Sequence, residues 1–309
     1  MSDPECTVVV CTRQRPAALA RCLAALDLDH PSYEVLVVDN SAGDPDARRL
    51  AADAGARYVV IQAPGLTRAR NAGARAARGA IVAFIDDDAV PERDWLRRHA
   101  DALADRSLAA STGRILAAPA GSPAARAYAA TGGEDLGEAP SRLDRGSEGW
   151  FERANFGGAG VGANMALRRE LFDGWGFREG LGPVGGLPGE EHYAFFELVR
   201  DGHAIGYEPA AVVHHDAPAT VELVERRMAG ILRGAVAYLL MLLVEQPRWR
   251  RAALRYMLQS LRGRRRGWRA APTAQPNVDR GRQVRAALGG LLLYVRCRRR
   301  HGGRLTPPV

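Results

Sequence analysis

The sequence predicts an α/β fold with a mostly parallel sheet flanked by helices over residues 1–220 of its 309 residues. Short runs of β-branched and other apolar residues alternate with amphipathic segments of helix length, a pattern typical of successive strand–helix units. The apolar fraction of 47% and the charged fraction of 25% are those of a globular protein, and they exclude a disordered or collagen-like chain.

Each element is assigned from its hydrophobic spacing. The predicted strands are Cys6–Cys11, Tyr33–Val38, Arg57–Ile61, Ala80–Ile85 and Leu108–Ala117, and the predicted helices between them are Pro16–Leu26, Asp46–Ala54, Thr67–Arg78 and Glu92–Ala104. From Pro119 to Gly162 the pattern gives way to Gly, Ala and Pro, which favours a long loop or lid. This part of the chain is completed by a regular segment at Asn164–Leu171, a helix at Glu190–Asp201 and a strand at Ile205–Val213.

The charge of the chain is divided unevenly along its length. Residues 221–309 hold 20 Arg and four acidic residues, a net charge of +16, whereas residues 1–220 hold 23 Arg and 31 acidic residues, a net charge of −8. Two apolar helices are predicted in the basic part, separated by Arg262–Asn277. We therefore predict an α/β domain over 1–220 and an Arg-rich helical region over 221–309, and a uniformly basic nucleic-acid-binding protein is excluded.

The cysteines and the apolar runs favour a cytoplasmic protein. The four cysteines form no CxxC pair and are expected to be reduced. The acidic start, Met1–Glu5, leads directly into the first strand, so no signal peptide is expected. The longest apolar runs, Gly234–Val244 and Ala286–Val295, are shorter than the ~18–20 residues that span a bilayer, so any membrane contact is expected to be peripheral, at the inner face.

Acidic residues follow two of the predicted strands. Asp86, Asp87 and Asp88 come after the fourth strand, and Asp39 comes after the second. Open α/β sheets bind ligands beyond the carboxyl ends of their strands, and three adjacent carboxylates repel one another unless a cation neutralises them. Alternation places Asp86 and Asp88 on one side, suited to a divalent cation and to a sugar or ribose hydroxyl. The alternatives are an acidic helix N-terminus at 86–88 and an Asx turn at Asp39.

A series of short motifs occurs in the order found in one enzyme family. The motifs are Val8–Thr12, Val35–Ser41, Leu66–Gly73, Phe84–Asp88, Gly162–Met165, Gly189–Glu191, Tyr207–Pro209 and His214-His215. Their order over residues 6–216 resembles the family 2 inverting glycosyltransferases. The resemblance implies the nucleotide-sugar-binding GT-A fold, a Rossmann-like sheet flanked by helices, with the basic C-terminal extension outside the motifs.

The resemblance also implies which residues bind the donor, a nucleotide-diphosphate sugar. Thr12 and Arg15 match the segment that lines the nucleotide pocket, and Asp39 matches the acid that contacts the base, commonly a pyrimidine. Arg70 and Asn71 match the stretch beside the donor. There Arg70 is expected to stabilise the diphosphate charge through a bidentate contact.

A divalent cation, Mg²⁺ or Mn²⁺, is the cofactor that the resemblance implies. Asp86 and Asp88 match the outer carboxylates of the DxD motif, with Asp88 as the direct metal ligand and Asp86 as a donor-binding residue. His215 matches the late histidine that completes the metal or diphosphate site, and the adjacent His214 is its competitor.

The resemblance implies a catalytic base at the start of a late helix. The family usually has Asp in a Glu-Asp pair there, whereas this chain has Glu190-Glu191, which is longer by one methylene. Glu191 is therefore predicted to be the base that deprotonates the acceptor hydroxyl, and Glu190 to bind the acceptor or act as a reserve base. The alternative is a pair of solvated acids at a helix N-terminus.

The predicted function is inverting transfer of a hexose or deoxyhexose from a nucleotide-diphosphate sugar to an acceptor hydroxyl, by metal-assisted single displacement. The acceptor is a glycan, a lipid-linked molecule or a small molecule. One alternative is a sugar-nucleotidyltransferase, which shares the α/β architecture and acidic metal sites. Another is a catalytically inactive protein that binds sugar nucleotides or membranes.

The Arg-rich region has two interpretations that fit the sequence. Arg264–Arg266 and Arg298–Arg300 adjoin apolar runs, as in amphipathic helices that bind an anionic membrane surface. The alternative is a helical appendage that packs on the α/β domain and exposes its arginines. Nucleic acid is not an expected partner, because the acidic domain would repel it.

Overall fold

The computed structural model describes residues 4–26, 33–117, 123–130, 134–183, 186–216, 220–261 and 280–306. The strands are β1 (Cys6–Thr12), β2 (Tyr33–Asp39), β3 (Arg57–Val60), β4 (Ile81–Asp86), β5 (Ala89–Pro91), β6 (Leu108–Ala117), β7 (Ser141–Leu143), β8 (Asn164–Arg168) and β9 (Ala204–His215). The α-helices are α1 (Pro16–Ala25), α2 (Pro45–Asp53), α3 (Leu66–Ala76), α4 (Trp95–Leu103), α5 (Pro123–Ala130), α6 (Trp150–Asn155), α7 (Glu190–Arg200), α8 (Val221–Glu245), α9 (Arg250–Leu261) and α10 (Arg280–Arg300).

The described strands form one sheet in the order β3-β2-β1-β4-β8-β6-β9-β5, with β7 paired to β9. β1 lies between β2 and β4 and is parallel to both, and β3 is parallel to β2. β8 runs antiparallel between β4 and β6, whereas β9 is parallel to β6. Six strands therefore point one way, and β5, β7 and β8 point the other way. As a result, the carboxyl ends of β1, β2, β4 and β9 lie at the same edge of the sheet.

Helices cover both faces of the sheet, because alternate strand residues point to opposite faces. Val8 and Val10 of β1 belong to a core that includes residues of α1, α2 and α4. Val9, between them, belongs to a second core with residues of α3, α6 and α7. This is the α/β fold that the sequence predicts, and the predicted N-terminal strands and helices are confirmed with small differences at their ends.

The stretch from Pro119 to Gly162 differs from the prediction of a long loop. It contains α5, the short strand β7 and α6. These elements depend on contacts distant in sequence: β7 pairs with β9, and Arg114 of β6 forms an ion pair with Asp135 at 2.9 Å. Because such contacts leave no local hydrophobic period, the spacing of residues could not predict them.

The C-terminal helices share the core of the α/β region. Met241 of α8, Ala253 of α9 and Tyr294 of α10 are buried in the same hydrophobic cluster as Phe196 of α7. Trp249, between α8 and α9, stacks on Phe151 of α6 with ring centroids 5.9 Å apart. Within the described residues, three α-helices therefore follow residue 220. The predicted linker Arg262–Asn277, with the cluster Arg264–Arg266, lies outside those residues.

α8 is long enough and apolar enough to cross a membrane, judged by length and composition only. The expectation that every apolar run is too short is therefore wrong for Val221–Glu245, because the helix contains an 18-residue window with a mean hydropathy of 1.7 although charged residues interrupt its apolar runs. One third of that window (33%) is buried inside the protein. Core helices also meet this criterion, so the observation by itself is weak evidence for a membrane span.

α3 approaches the sheet closely because a glycine faces β1. A Cβ atom at Gly73 would lie 2.5 Å from Cγ1 of Val9 and 3.2 Å from Cγ2 of Val38. The absence of a side chain thus sets the distance between α3 and the strands, and with it the position of the polar residues earlier in the same helix.

Replacing Gly73 with alanine is expected to lower the free energy of unfolding by about 1–3 kcal/mol relative to Gly230→Ala, because the added methyl overpacks the core. Gly230 of α8 is the matched control, since a Cβ there meets nothing within 4 Å. Both substitutions gain the same helix propensity, about 1 kcal/mol. Urea unfolding measures the difference, and equal stabilities of the two variants would contradict the close approach.

Candidate active site

Strand pairing brings the predicted acidic residues to one edge of the sheet. Thr12 at the end of β1 is paired with Asp39 of β2, and Cys11 is paired with Asp86 of β4. His215 at the end of β9 is paired with Ala89 of β5, just beyond the three aspartates. Parallel strands thus place side chains that are far apart in sequence at the carboxyl edge, where ligands bind in such sheets.

Asp86, Asp88 and His215 form a cluster that could hold a metal ion. One ligand atom from each lies within 4.8 Å of the others, and Nε2 of His215 is 3.2 Å from Oδ1 of Asp88. Burial lowers the pKa of His215, but the hydrogen bond and the charge of Asp88 outweigh it and raise the pKa to about 9. His214 points elsewhere, with Nε2 3.2 Å from Oε1 of Glu92.

The middle aspartate of the motif has a different environment from its neighbours. Asp87 is buried, accepts a hydrogen bond from Oγ1 of Thr12 at 2.8 Å and pairs with Nη1 of Arg15 at 2.8 Å. Burial raises its pKa to about 6, although Thr12 and Arg15 oppose the shift. Arg15 also pairs with Asp88 at 2.5 Å and is half exposed. Thr12 and Arg15 therefore hold the turn that carries the candidate metal ligands.

Asp39 is fully buried and surrounded by donors. Its carboxylate accepts hydrogen bonds from the backbone N–H and the hydroxyl of Ser41, from the backbone N–H of Asp44 and from the hydroxyl of Tyr58. Burial raises its pKa, but these bonds outweigh burial and leave the pKa below its ordinary value. The Asx turn, which is the alternative to a base-contacting role for Asp39, is present, and the carboxylate fixes the loop between β2 and α2.

Arg70 is a buried cation between two acidic parts of the site. Its side chain is 3% exposed, and its guanidinium nitrogens lie 3.5 Å from Oδ1 of Asp86 and 3.4 Å from Oε1 of Glu190. The guanidinium also lies over the ring of Phe177, 5.8 Å from its centroid. Arg70 therefore connects the candidate metal cluster to the start of α7.

Asn71 uses its side chain to hold the segment before α7. Its amide nitrogen donates to the carbonyl of Phe177 at 2.8 Å, and its amide oxygen accepts from the N–H of Phe177 at 2.8 Å. Both functional groups of the amide are thus engaged with one backbone residue. This clamp positions Phe177 against Arg70.

Glu190 and Glu191 form the first turn of α7, where the helix dipole favours negative charge. Burial raises the pKa of Glu190 to about 7; repulsion from Glu191 adds to the shift and Arg70 opposes it. Burial also raises the pKa of Glu191, again opposed by Arg70. Oε1 of Glu191 lies 3.9 Å from Nδ1 of His192. Both carboxyls are thus poised to exchange a proton at a higher pH than an exposed glutamate, whose pKa is about 4.3.

One further acidic residue, Glu134, acts on the site through its charge and was not predicted. The charge of Glu134 raises the pKa values of both Glu191 and His215. Its carboxylate is held by Nη2 of Arg227 in α8 at 3.0 Å. Glu134 lies in a glycine-rich stretch without a hydrophobic period, so the sequence carried no signal for it.

Replacing Arg70 with methionine is expected to cost about 3–5 kcal/mol of stability at pH 8, because it leaves buried carboxylates without a partner. The loss should be smaller at pH 5.5. Folding raises the pKa of Glu190. Such a group stabilises the fold fully below its pKa in the unfolded state, and this stabilisation is lost as the pH rises through its pKa in the folded state. The matched change Arg68→Met removes an exposed ion pair with Glu179 and should cost about 0–1 kcal/mol. Urea unfolding at both pH values tests this, and a loss for Arg70→Met that is independent of pH would be the contrary result.

Comparisons with known proteins bear on the family of the chain. The model of Glycosyl transferase family 2 matches residues 7–176. The pre-mycofactocin glycosyltransferase of Mycobacterium tuberculosis is 30% identical over 221 residues, which cover 70% of this chain and 43% of that protein. The succinoglycan biosynthesis protein ExoM of Rhizobium meliloti is 30% identical over 222 residues, covering 68% of this chain and 66% of that protein. The chain therefore spans less than half the length of the first relative.

Solved structures share the fold at low sequence identity. The mannosyltransferase PcManGT from Pyrobaculum calidifontis, in complex with GDP-Man and Mn²⁺, has a TM-score of 0.55 and 18% identity over 96% of this chain and 88% of that chain. Residues 1–349 of TarS from Staphylococcus aureus have a TM-score of 0.50 and 15% identity over 76% of this chain and 65% of that chain. Since the family model matches more than half of the residues, and the sheet and its acidic edge are those that the motifs predict, the chain belongs to glycosyl transferase family 2.

Proposed function

We propose that the protein transfers a hexose or deoxyhexose from a nucleotide-diphosphate sugar to an acceptor hydroxyl with inversion, by metal-assisted single displacement. The observation that carries the proposal is the Arg70 bridge between Asp86 and Glu190. It joins a cluster suited to a cation and a diphosphate to carboxyls suited to proton transfer. An inverting displacement needs these two functions side by side.

The possible ligand atoms of Asp86, Asp88 and His215 fit a hard divalent cation. Two carboxylates and one imidazole lie within 4.8 Å of one another, and carboxylate oxygens suit Mg²⁺ and Mn²⁺. His215, with a pKa of about 9, must release its proton to become a ligand. When bound, the cation would neutralise negative charge on the departing diphosphate. Asp88 and His215 would hold the cation, and Asp86 would face the nucleotide-sugar donor.

The donor would lie along the edge formed by β1, β2 and β4. Arg15 is half exposed beside Asp88 and offers a guanidinium to a phosphate oxygen. Asp39 and Thr12 would shape the nucleotide pocket. Asp39, which also fixes the loop between β2 and α2, is proposed to contact the base. Arg70 and Asn71 would form the wall beside the diphosphate. The mannosyltransferase PcManGT was solved with GDP-Man and Mn²⁺, which supports a nucleotide sugar and a cation for this fold.

Glu191 is proposed as the base, with Glu190 binding the acceptor or serving as a reserve base. The carboxylate of Glu191 takes the proton of the acceptor hydroxyl while the acceptor oxygen bonds to the anomeric carbon. In the same step the bond from that carbon to the diphosphate oxygen breaks, and the nucleoside diphosphate leaves. The ion pair of Glu190 with Arg70 restrains the position of the Glu190 carboxylate.

The acceptor is proposed to be a hydroxyl of a glycan, a lipid-linked molecule or a small molecule. The protein is proposed to act in the cytoplasm, with the C-terminal region able to bring it to the inner face of a membrane. Release of a nucleoside diphosphate from a panel of nucleotide sugars with Mn²⁺ tests the reaction class. Release of pyrophosphate would instead indicate a nucleotidyltransferase.

The variant Glu191→Gln is expected to lower kcat by about 10²–10⁴-fold, the usual contribution of a general base. The exposed Glu179→Gln in the preceding loop is the matched control and should retain wild-type turnover. The wild-type kcat/KM should fall as the pH drops below the raised pKa of the base, because a protonated carboxyl cannot accept a proton. If Glu190→Gln abolished turnover and Glu191→Gln did not, the two roles would be exchanged.

The variant His215→Gln is expected to weaken Mn²⁺ binding by more than the roughly 10–100-fold typical of losing an outer partner of a metal site. His214→Gln is the matched control, because His214 faces Glu92 instead of Asp88. Electron paramagnetic resonance of free Mn²⁺ during a titration measures the affinity. Equal affinities of the two variants would remove His215 from the site.

A further inference from the structure

Helix α10 is apolar on two opposite faces. Ala286, Gly290, Tyr294 and Cys297 recur every three or four residues and are buried, so they form one stripe along the helix. That stripe packs on α8: a Cβ atom at Gly290 would lie 2.8 Å from the Val236 side chain. The contact uses the close approach that glycine allows.

The other face of α10 is also apolar but faces outward. Val284, Leu288, Leu291, Leu292 and Val295, here named the α10 stripe, are between 36% and 59% exposed. Their spacing of three or four residues places them along one side of the helix. A helix that buries one apolar stripe against its own protein and exposes a second is suited to bind another apolar surface.

Exposed arginines stand at both ends of the α10 stripe. Arg285 lies near its beginning, and Arg296 and Arg299 lie near its end, all exposed. Arg299 follows Val295 by four residues and so continues the same side of the helix. The helix contains seven arginines and no acidic residue. An apolar stripe bordered by arginines is the pattern of helices that lie in the headgroup region of an anionic bilayer.

Exposed apolar side chains of the described residues are concentrated in the C-terminal helices. All large hydrophobic side chains that are prominently exposed in the described residues belong to α8, α9 and α10. On α9, for example, Leu254 and Leu258 are 42% and 46% exposed and four residues apart. A second copy of the chain is a poor occupant, because an isologous contact would bring two arginine-rich helices together. An anionic surface, in contrast, would neutralise the charge of these arginines.

The contacts of α8 favour helices that lie along such a surface over helices that cross it. The middle of α8 is fixed inside the protein: the hydroxyl of Tyr238 donates to Oδ1 of Asn155 at 2.8 Å, and Met241 and Leu242 are fully buried in the core. A membrane-spanning α8 would have to give up these contacts. The α10 stripe is outward-facing without any rearrangement.

We propose that the α10 stripe docks in the headgroup region of an anionic lipid bilayer, with α10 parallel to the surface and its arginines on the lipid phosphates. Docking does not depend on the chemistry proposed for Glu191. The inner face of α10 contacts the loop that leads to Glu190, because Sγ of Cys297 donates to the carbonyl of Gly186 at 3.3 Å.

Sedimentation of the full chain with vesicles tests the proposal. Binding to vesicles that contain phosphatidylglycerol is expected, with little binding to pure phosphatidylcholine and weaker binding at high salt. The variant Leu288→Gln/Leu291→Gln/Leu292→Gln should lose binding. The variant Arg296→Gln/Arg299→Gln should lower the partition coefficient roughly thirtyfold, given the contribution of each arginine near an anionic surface.

Matched controls separate docking from general charge and from misfolding. Arg49→Gln/Arg97→Gln removes the same charge from exposed positions outside the C-terminal helices and should bind like the wild type. An unchanged thermal unfolding transition shows that the variants fold. Vesicle binding that persists in the Leu288→Gln/Leu291→Gln/Leu292→Gln variant would overturn the proposal. So would a wild-type dimer that this variant converts to a monomer while neither protein binds vesicles.

Discussion

The guanidinium of Arg70 is the charge on which the arrangement of the site depends. Three carboxyls, those of Asp86, Glu190 and Glu191, influence or contact this one buried cation, and carboxylates in a low-dielectric interior repel strongly without a cation between them. The balance is incomplete, since burial still raises the pKa values of both glutamates. Both carboxyls are therefore easier to protonate than an exposed glutamate.

One turn of α3 delivers this cation and fixes its surroundings. Gly73 lets the helix lie against β1 and β2, Asn71 holds the backbone of Phe177, and the Phe177 ring lies under the guanidinium of Arg70. Sheet packing, the loop before α7 and the charge of the site are therefore set by residues within four positions of one another. A shift of α3 would disturb all three together, because the helix is rigid over such a distance.

Residues whose role follows from strand order could be predicted from the sequence, whereas residues that act through distant packing could not. Asp86 ends β4, Asp88 lies in the turn that follows it, and His215 ends β9, so the direction of the strands brings the three residues to one edge of the sheet. Glu134 acts on the site through its charge and is held by Arg227 of α8, across 93 residues of sequence. Asn71 matched a motif beside the donor, but its contact with Phe177 spans 106 residues. Spacing and alternation describe the next few residues and carry no information at that range.

The uneven charge acquires a structural meaning once the C-terminal helices are seen to share the core. The sequence divides into an acidic region, net −8, and a basic region, net +16. The described helices of the basic region, α8, α9 and α10, are joined to the acidic region by apolar packing around Met241 and Tyr294 and cannot turn independently without breaking it. A body charged in this way has a strong dipole. Near an anionic surface the arginine-rich side would be attracted and the acidic side repelled, so the charge division would fix the orientation of the site, as well as its proximity to the surface.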